Sequence, residues 1–339
     1  MMKFDASLLV HDLSQMPALA RFADQTGFDG IWTFETAHEP FLPLVLATEH
    51  STRLSLGTSI AVAFARSPTI LAHISWDLAR FSKGRFILGL GTQVKGHNER
   101  RFGVSWDKPV EKMREVILAV RAIWDCWQNQ TRLNFQGEYF KLTLMTPFFS
   151  PAPHEFHRIP IFIAGVNSRM CQLGGELCEG FHVHPLHTER YLREVVLSNI
   201  EQGLAKAGRR RRDIELSSSI FVIPTDDPKE AARYEAEVRQ QISFYASTPP
   251  YRPVFELEGW GDVADQLKSA AAAGRWNEMP ALITDEMFDR LVLRGAWSEL
   301  PEKILRKYAG SLDRVSYYFP IIPGENEAGW RATVAGFKS

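Results

Sequence analysis

The chain of 339 residues is 45% hydrophobic and 23% charged, the balance of a globular protein, and it is long enough for one large domain or two ordinary ones. A formal net charge of −1 supplies no global field for nucleic acid or an anionic membrane surface, and no run of about 18 apolar residues reads as a membrane span. Three cysteines, without a CxxC pair or an even framework, exclude a disulfide scaffold and suit a reducing cytoplasm. The opening MMKFDASLLV is too short and too polar for a signal peptide, so a cytoplasmic location is expected. Cys171 and Cys178 stand seven apart, two turns along one helical face, and read as small core residues. The basic run Arg209–Arg212 reads as a solvated loop.

In chain order, Lys3–Val10 carries a strand pattern, and Met16–Thr26 carries helical spacing with Ser14 as its cap and Gly27 as its stop. Asp29–Phe34 is a second strand and Pro40–His50 a second helix. Leu54–Val62 is a third strand, and Ser67-Pro68 opens a third helix over Thr69–Phe81. Arg85–Leu90 is a fourth, fully apolar strand that runs into Gly89, Gly91 and a polar stretch. Asp107–Gln128 is a long amphipathic helix, and Arg132–Phe135 with Tyr139–Leu142 reads as a hairpin. Ile159–Ala164 and Gly180–His184 are strands five and six, separated by a helix over Asn167–Leu177. Glu189–Ala207 is helical and Ile214–Ile223 is strand seven. Helices follow over Pro228–Tyr245, Asp262–Ala273, Thr284–Leu293 and Pro301–Tyr308, before strand eight at Arg314–Ile322 and a helix over Glu325–Phe337. Eight strands alternating with helices predict an α/β fold of the (β/α)8 TIM-barrel type, a single domain over 1–339. It carries insertions at about 129–158 and 224–313, the latter a long helical excursion between strands 7 and 8. The rival is an open doubly wound sheet, disfavoured because no GxGxxG follows the first strand.

In such a barrel the C-terminal strand ends form the working face. They offer Glu35 and His38 after strand two, Ser59–Arg66 after strand three, Gly91–Asn98 after strand four, Gly165–Ser168 after strand five and His182–His187 after strand six. The glycines of strand four suit either a tight turn or the close approach of a ligand. The amides of Gly165, Val166 and Asn167, opening a helix, form an anion site, and a ring over glycines with its phosphate there describes a flavin-like cofactor. Glu35 with His38 is the best acid–base pair in the chain, although an acid at a helix N-terminus needs no catalytic role. His182, His184 and His187 spell HxHxxH; a metal is one reading, ligand-lining or hydrogen-bonded histidines the other. Trp32, Phe34 and Phe64 lie near strand ends, where an aromatic can wall a pocket.

The stretches DGIWTFETAHEPF (29–41), LGTSIAVAFARSP (56–68), GRFILGLGTQVKGHNERRFG (84–103), IPIFIAGVNSRM (159–170) and GFHVHPLHTERYL (180–192) together resemble the luciferase-like oxidoreductases. Within that family they are most similar to the branch that uses the deazaflavin coenzyme F420 rather than FMN. The resemblance implies a bulge after strand three with a non-prolyl cis peptide at Ser59–Ile60, backing the cofactor ring. It implies that Glu35 and His38 face the reactive ring edge as catalytic residues. Ser59, Ile60, Ala61, Gly91, Thr92 and Gln93 would line the ring, with His182 nearby, and Ala164, Gly165, Val166 and Asn167 the phosphate. The implied activity is hydride transfer between F420 and a small-molecule substrate, or FMN-dependent monooxygenation; a non-catalytic cofactor-binding protein of the same fold is the reading of another class. Departures exist: many deazaflavin-using relatives carry Asp where Glu35 stands. Lys95, Arg100 and Arg101 are the candidates for an acidic cofactor tail, and a homodimer is the expected assembly.

Overall fold

The computed structural model describes residues 2–322 and 324–339; Met1 of the opening segment and Pro323 lie outside them. Strands β1 (Lys3–Leu8), β2 (Gly30–Thr33), β3 (Ser55–Thr58), β4 (Phe86–Gly91), β5 (Ile161–Gly165), β6 (Gly180–Val183), β7 (Glu215–Ile220) and β8 (Arg314–Tyr317) run parallel in a single sheet. Pairing of β8 with β1, through Lys3 opposite Arg314 and Asp5 opposite Ser316, closes that sheet into a barrel. The expected (β/α)8 architecture is therefore the observed one, and the open-sheet rival is excluded.

Helices α1 (Met16–Thr26), α2 (Leu42–Glu49), α3 (Pro68–Phe81), α4 (Pro109–Asn129) and α5 (Ser168–Leu177) follow the first five barrel strands. Alternation along the strands divides two cores. Phe4, Ala6 and Leu8 belong to the large core shared with the helices, where Phe4 stacks on Phe28 and Phe337. Trp32, Ile87 and Phe162 form a separate apolar cluster, because the barrel wall isolates them from the outer layer. Between β7 and β8 lie helices over Pro228–Ala246, Arg252–Leu257, Gly261–Ala272, Asp285–Leu291 and Leu300–Tyr308.

Several expected boundaries move for local reasons. Ser14 does not cap α1: Asp12 caps a short turn by accepting from the Ser14 amide, and α1 starts without a side-chain cap. Gly27 does end α1 in the left-handed region, at φ 104°. Strand seven ends at Ile220, and Val222–Pro224 pairs instead with Leu293–Gly295, which takes Leu293 from the expected helix. Cys178 is not on the helical face with Cys171; it is the extended residue that ends α5, and both thiols are buried. The run Arg209–Arg212 is more than a solvated loop. Arg209 donates to the Gly175, Cys178 and Asp213 carbonyls, and Arg211 pairs with Asp313 at 2.7 Å.

The barrel interior holds a charge network. Asp5 accepts from Trp32 Nε1, Arg314 Nε and Arg314 Nη2, each at 2.8 Å, and Arg314 Nη1 reaches Glu215 at 3.2 Å. Lys3 holds the other oxygen of Glu215. Replacing Asp5 by Ala should cost about 3–5 kcal/mol, because the buried guanidinium keeps only a partly exposed partner. Urea unfolding measures this, and a loss under about 1 kcal/mol would show that the network is not needed for closure.

Candidate cofactor site

The most unusual backbone in the molecule sits at the mouth of the barrel. After Thr58 the chain leaves β3, the Ser59–Ile60 peptide is cis as the resemblance implied, and Ala61–Val62 rejoins β4 opposite Leu90 and Gly91. This bulge is held by the end of β2. The Ser59 amide donates to the Thr33 carbonyl at 2.7 Å, and the Glu35 amide donates to the Ile60 carbonyl at 3.1 Å. The Glu35 carboxylate accepts from the Val62 amide and from Arg66, both at 2.7 Å. Arg66 also reaches Glu39 at 3.2 Å. With side chains only 8% and 14% exposed, Glu35 and Arg66 are a nearly enclosed pair. His38 is exposed, and its ring faces that of His11 at 6.2 Å rather than Glu35. The two residues expected to act as an acid–base pair are thus near in sequence but not hydrogen-bonded.

The glycines of β4 have a structural cause. A Cβ at Gly89 would overlap the Thr58 carbonyl oxygen, and one at Gly91 would come within 2.6 Å of Ile60. They make room for the bulge, which in turn presents Ile60, half-buried, at the mouth. Thr92 and Gln93 follow at the rim, where the Gln93 side chain accepts from the Val94 amide and Asn98 donates to the Thr92 carbonyl. Of the expected tail contacts, Arg101 is bonded to the Thr36 carbonyl and Lys95 faces Glu99.

Beyond β5, Ala164, Gly165 and Val166 are half-buried and Asn167 is exposed. The helix opens at Ser168 rather than at Gly165–Asn167: Asn167 is its cap, accepting from the Met170 amide at 2.9 Å. The first two helical amides, of Ser168 and Arg169, have no intrahelical acceptor, as at any helix start. Tyr191 anchors this corner by donating to the Val166 carbonyl at 2.9 Å.

The histidines of HxHxxH point three ways. His182 lies inside the barrel against Trp32 and Phe162, and burial pushes its pKa down to about 3. His184 accepts from the Leu186 amide through Nδ1, so Nε2 carries its proton; burial also takes it to about 3. His187 Nδ1 donates to the His184 carbonyl at 2.8 Å, and burial takes it to about 4. Among the described residues no group of three His, Cys, Asp or Glu side chains is placed to hold a metal ion. Burial holds the three histidines neutral, and His184 and His187 are hydrogen-bonded to the backbone.

The profile of the luciferase-like monooxygenase family matches residues 3–314. The chain belongs to that family. An uncharacterized protein of Mycobacterium tuberculosis is 43% identical over 314 residues, covering 93% of this chain and 92% of the relative. The 5,10-methylenetetrahydromethanopterin reductase of Archaeoglobus fulgidus is 27% identical, covering 91% and 90%. Among solved structures, the coenzyme F420-dependent tetrahydromethanopterin reductase of Methanopyrus kandleri superimposes with a TM-score of 0.79 at 21% identity, covering 99% and 97%. The relatives of this family use F420 or FMN. Among the described residues no helix is long and apolar enough to cross a membrane.

Reading the sequence of this luciferase-like chain missed two sets of contacts at the mouth. Arg66 stands in the expected Ser59–Arg66 strand end, but its pairing with Glu35 depends on the bulge and has no mark in the sequence. Tyr245 and Tyr251, from the insertion, meet His184 and Tyr318: the rings of His184 and Tyr251 stack at 4.2 Å, and the Tyr245 and Tyr318 hydroxyls lie 2.6 Å apart. The only signal was the aromatic content of segments 245–251 and 317–319.

Two expectations follow from this geometry. Glu35→Gln should lower stability by about 1–3 kcal/mol through loss of the charged partner of Arg66, while His38→Asn stays within about 0.5 kcal/mol; equal effects in chemical unfolding would deny Glu35 its bracing role. The histidines are also a source of acid lability. Their folded pKa values lie below the ordinary 6.5, so the stability they carry is complete above pH 6.5 and is lost as pH falls to about 4 for His187 and about 3 for His182 and His184. Unfolding free energy against pH should show uptake of up to three protons in that window, and His187→Gln should remove about one of them.

Proposed function

We propose that this chain is an oxidoreductase that moves a hydride between a deazaflavin of the coenzyme F420 type and a small organic substrate. The observation that carries the reading is the Ser59–Ile60 bulge, locked by Glu35 and given room by Gly89 and Gly91, which leaves Ile60 half-buried at the end of β3. Ser59, Ile60, Ala61, Gly91, Thr92 and Gln93 would hold the ring system, with His182 behind them. Ala164–Asn167, with the free amides of Ser168 and Arg169, would hold the phosphate. The bound deazaflavin would supply two-electron hydride chemistry; FMN in the same place would add oxygen activation.

The chain's own residues divide the remaining work. Glu35 is a positioning residue, since Arg66 and the Val62 amide already occupy its carboxylate. His38, exposed at the same strand end, is the group free to pass a proton between substrate and solvent. Arg66 balances one of the two carboxylates, Glu35 and Glu39, and the excess negative charge rests toward the more exposed Glu39.

Titration of the purified protein with F420 and with FMN, followed by absorbance and fluorescence, tests the reading. Binding of F420 in preference to FMN is expected, with affinity reduced roughly three- to tenfold in Ile60→Ala as apolar contact is lost. His38→Asn should leave that affinity unchanged and slow turnover by about a hundredfold or more. Preference for FMN would move the protein to the monooxygenase side of the family. Binding without turnover on any substrate would make it a cofactor carrier.

A further inference from the structure

We infer that His182 is a positioning residue for the bulge: from inside the barrel its Nε2–H holds the Thr58 carbonyl, the last point of β3 before the chain turns away at Ser59. His182 thereby acts in the same site as the reading above, and needs that reading only for the identity of the ring that lies on the bulge.

The Thr58 carbonyl has lost its place in the sheet. β3 and β4 pair through Leu56 with Phe86 and Gly57 with Ile87, and there that stretch of ladder stops. The Gly89 amide is next in line for the Thr58 carbonyl, but it donates to Thr58 Oγ1 instead, at 3.1 Å. That hydroxyl in turn donates to the Gly89 carbonyl at 2.5 Å. On the other edge, the Ser59 amide donates to the Thr33 carbonyl and the Glu35 amide to the Ile60 carbonyl, so the β2 end holds the bulge at Ser59 and Ile60 and not at Thr58. Thr58 is fully buried, and a buried backbone carbonyl calls for a donor.

The donor that faces it is His182. A Cβ at Gly89 would stand 1.6 Å from the Thr58 carbonyl oxygen and 3.0 Å from His182 Nε2, so oxygen and nitrogen border the same gap in the barrel wall. Nε2 is buried and makes no other hydrogen bond among the described residues. Burial, helped by the Arg314 charge and opposed by the Thr58 carbonyl, takes the pKa of His182 to about 3. The imidazole therefore carries a single N–H at neutral pH, and the Thr58 carbonyl places it on Nε2. Two rings keep the imidazole from swinging away: Trp32 stands edge-on to it at 4.9 Å, and Phe162 lies at 5.3 Å. Trp32 is itself pinned by its bond to Asp5 at 2.8 Å. The bulge is thus held at both ends, by Glu35 at Val62 and by His182 at Thr58.

Two measurements on the cofactor-free protein test the brace. In protein labelled with 15N-histidine at neutral pH, the His182 ring, assigned by its loss in His182→Gln, should show the Nε2–H tautomer. Hydrogen exchange of peptides covering 56–66 should quicken about tenfold or more in His182→Leu, which removes the donor at similar volume. His182→Gln places an amide N–H near the Nε2 position and should bring that rate back to within about twofold. A histidine that only fills space would give no such rescue. Titration with F420 then reads the surface itself, with affinity about tenfold weaker in His182→Leu and within about twofold in His182→Gln. An Nδ1–H tautomer, exchange unmoved in His182→Leu, or a Gln variant no better than the Leu variant would overturn the assignment. If His182→Leu does not fold, the tautomer of the unaltered protein and the exchange of His182→Gln decide it. Failure of the unaltered protein to bind F420 would instead sink the cofactor reading, with the brace still judged by tautomer and exchange.

Discussion

The structure depends on one buried ion pair. Asp5 on the first strand and Arg314 on the last meet inside the barrel, where the Asp5 carboxylate receives three N–H donors and Arg314 passes its remaining contact to Glu215. With Lys3, the four charges alternate in sign around β1, β8 and β7, and Trp32 extends the set to β2. Such a network is a weak source of net stability, since desolvation of each charge offsets most of the attraction. Its strength lies in register. A slip of one residue in the β1–β8 pairing would turn Arg314 out of the barrel and leave Asp5 buried alone, a cost no neighbouring register recovers.

Once that seam is fixed, the mouth inherits its geometry. The same pairing places Ser7, Ser219 and Ser316 in a hydroxyl chain with 2.9 Å contacts, one layer above the ion pair. Above them, β2 and β3 are tied by a second charged lock, Glu35 with Arg66, which sets the path of the Ser59–Ile60 bulge. The two locks differ in consequence. The inner one closes the barrel; the outer one shapes a surface on which a ring can lie.

The helices and the barrel class were legible because amphipathic period and strand spacing are local properties. The bulge was legible only through resemblance: LGTSIAVAF reads as one continuous strand, and nothing in its hydrophobicity marks the turn at Ser59. Glu35 and His38 were legible at the end of β2, but the partner of Glu35 was not, since Arg66 lies 31 positions from it and meets it only when β3 folds away. The Arg314–Asp5 pair was hidden for a related reason. A charge at a strand start normally signals the solvent boundary, and here it is the inward position of a closed barrel. Tyr245 and Tyr251 escaped because the insertion has no repeat or motif, so its aromatics acquire meaning only by contact with β6 and β8.

The distribution of charge around the mouth connects these observations. On the β2–β3 side two carboxylates, Glu35 and Glu39, share the single guanidinium of Arg66. On the β6–β8 side the groups are imidazoles and phenols kept neutral by burial. His38 at the β2 end is exposed, and its ring faces that of His11, also exposed, at 6.2 Å. Hydride chemistry needs a dry surface for the transferred pair of electrons and a separate path for the proton. Under the proposed hydride chemistry, a mouth that is neutral on one side and carries two carboxylates on one guanidinium on the other, with His38 and His11 open to solvent, would divide the two by location.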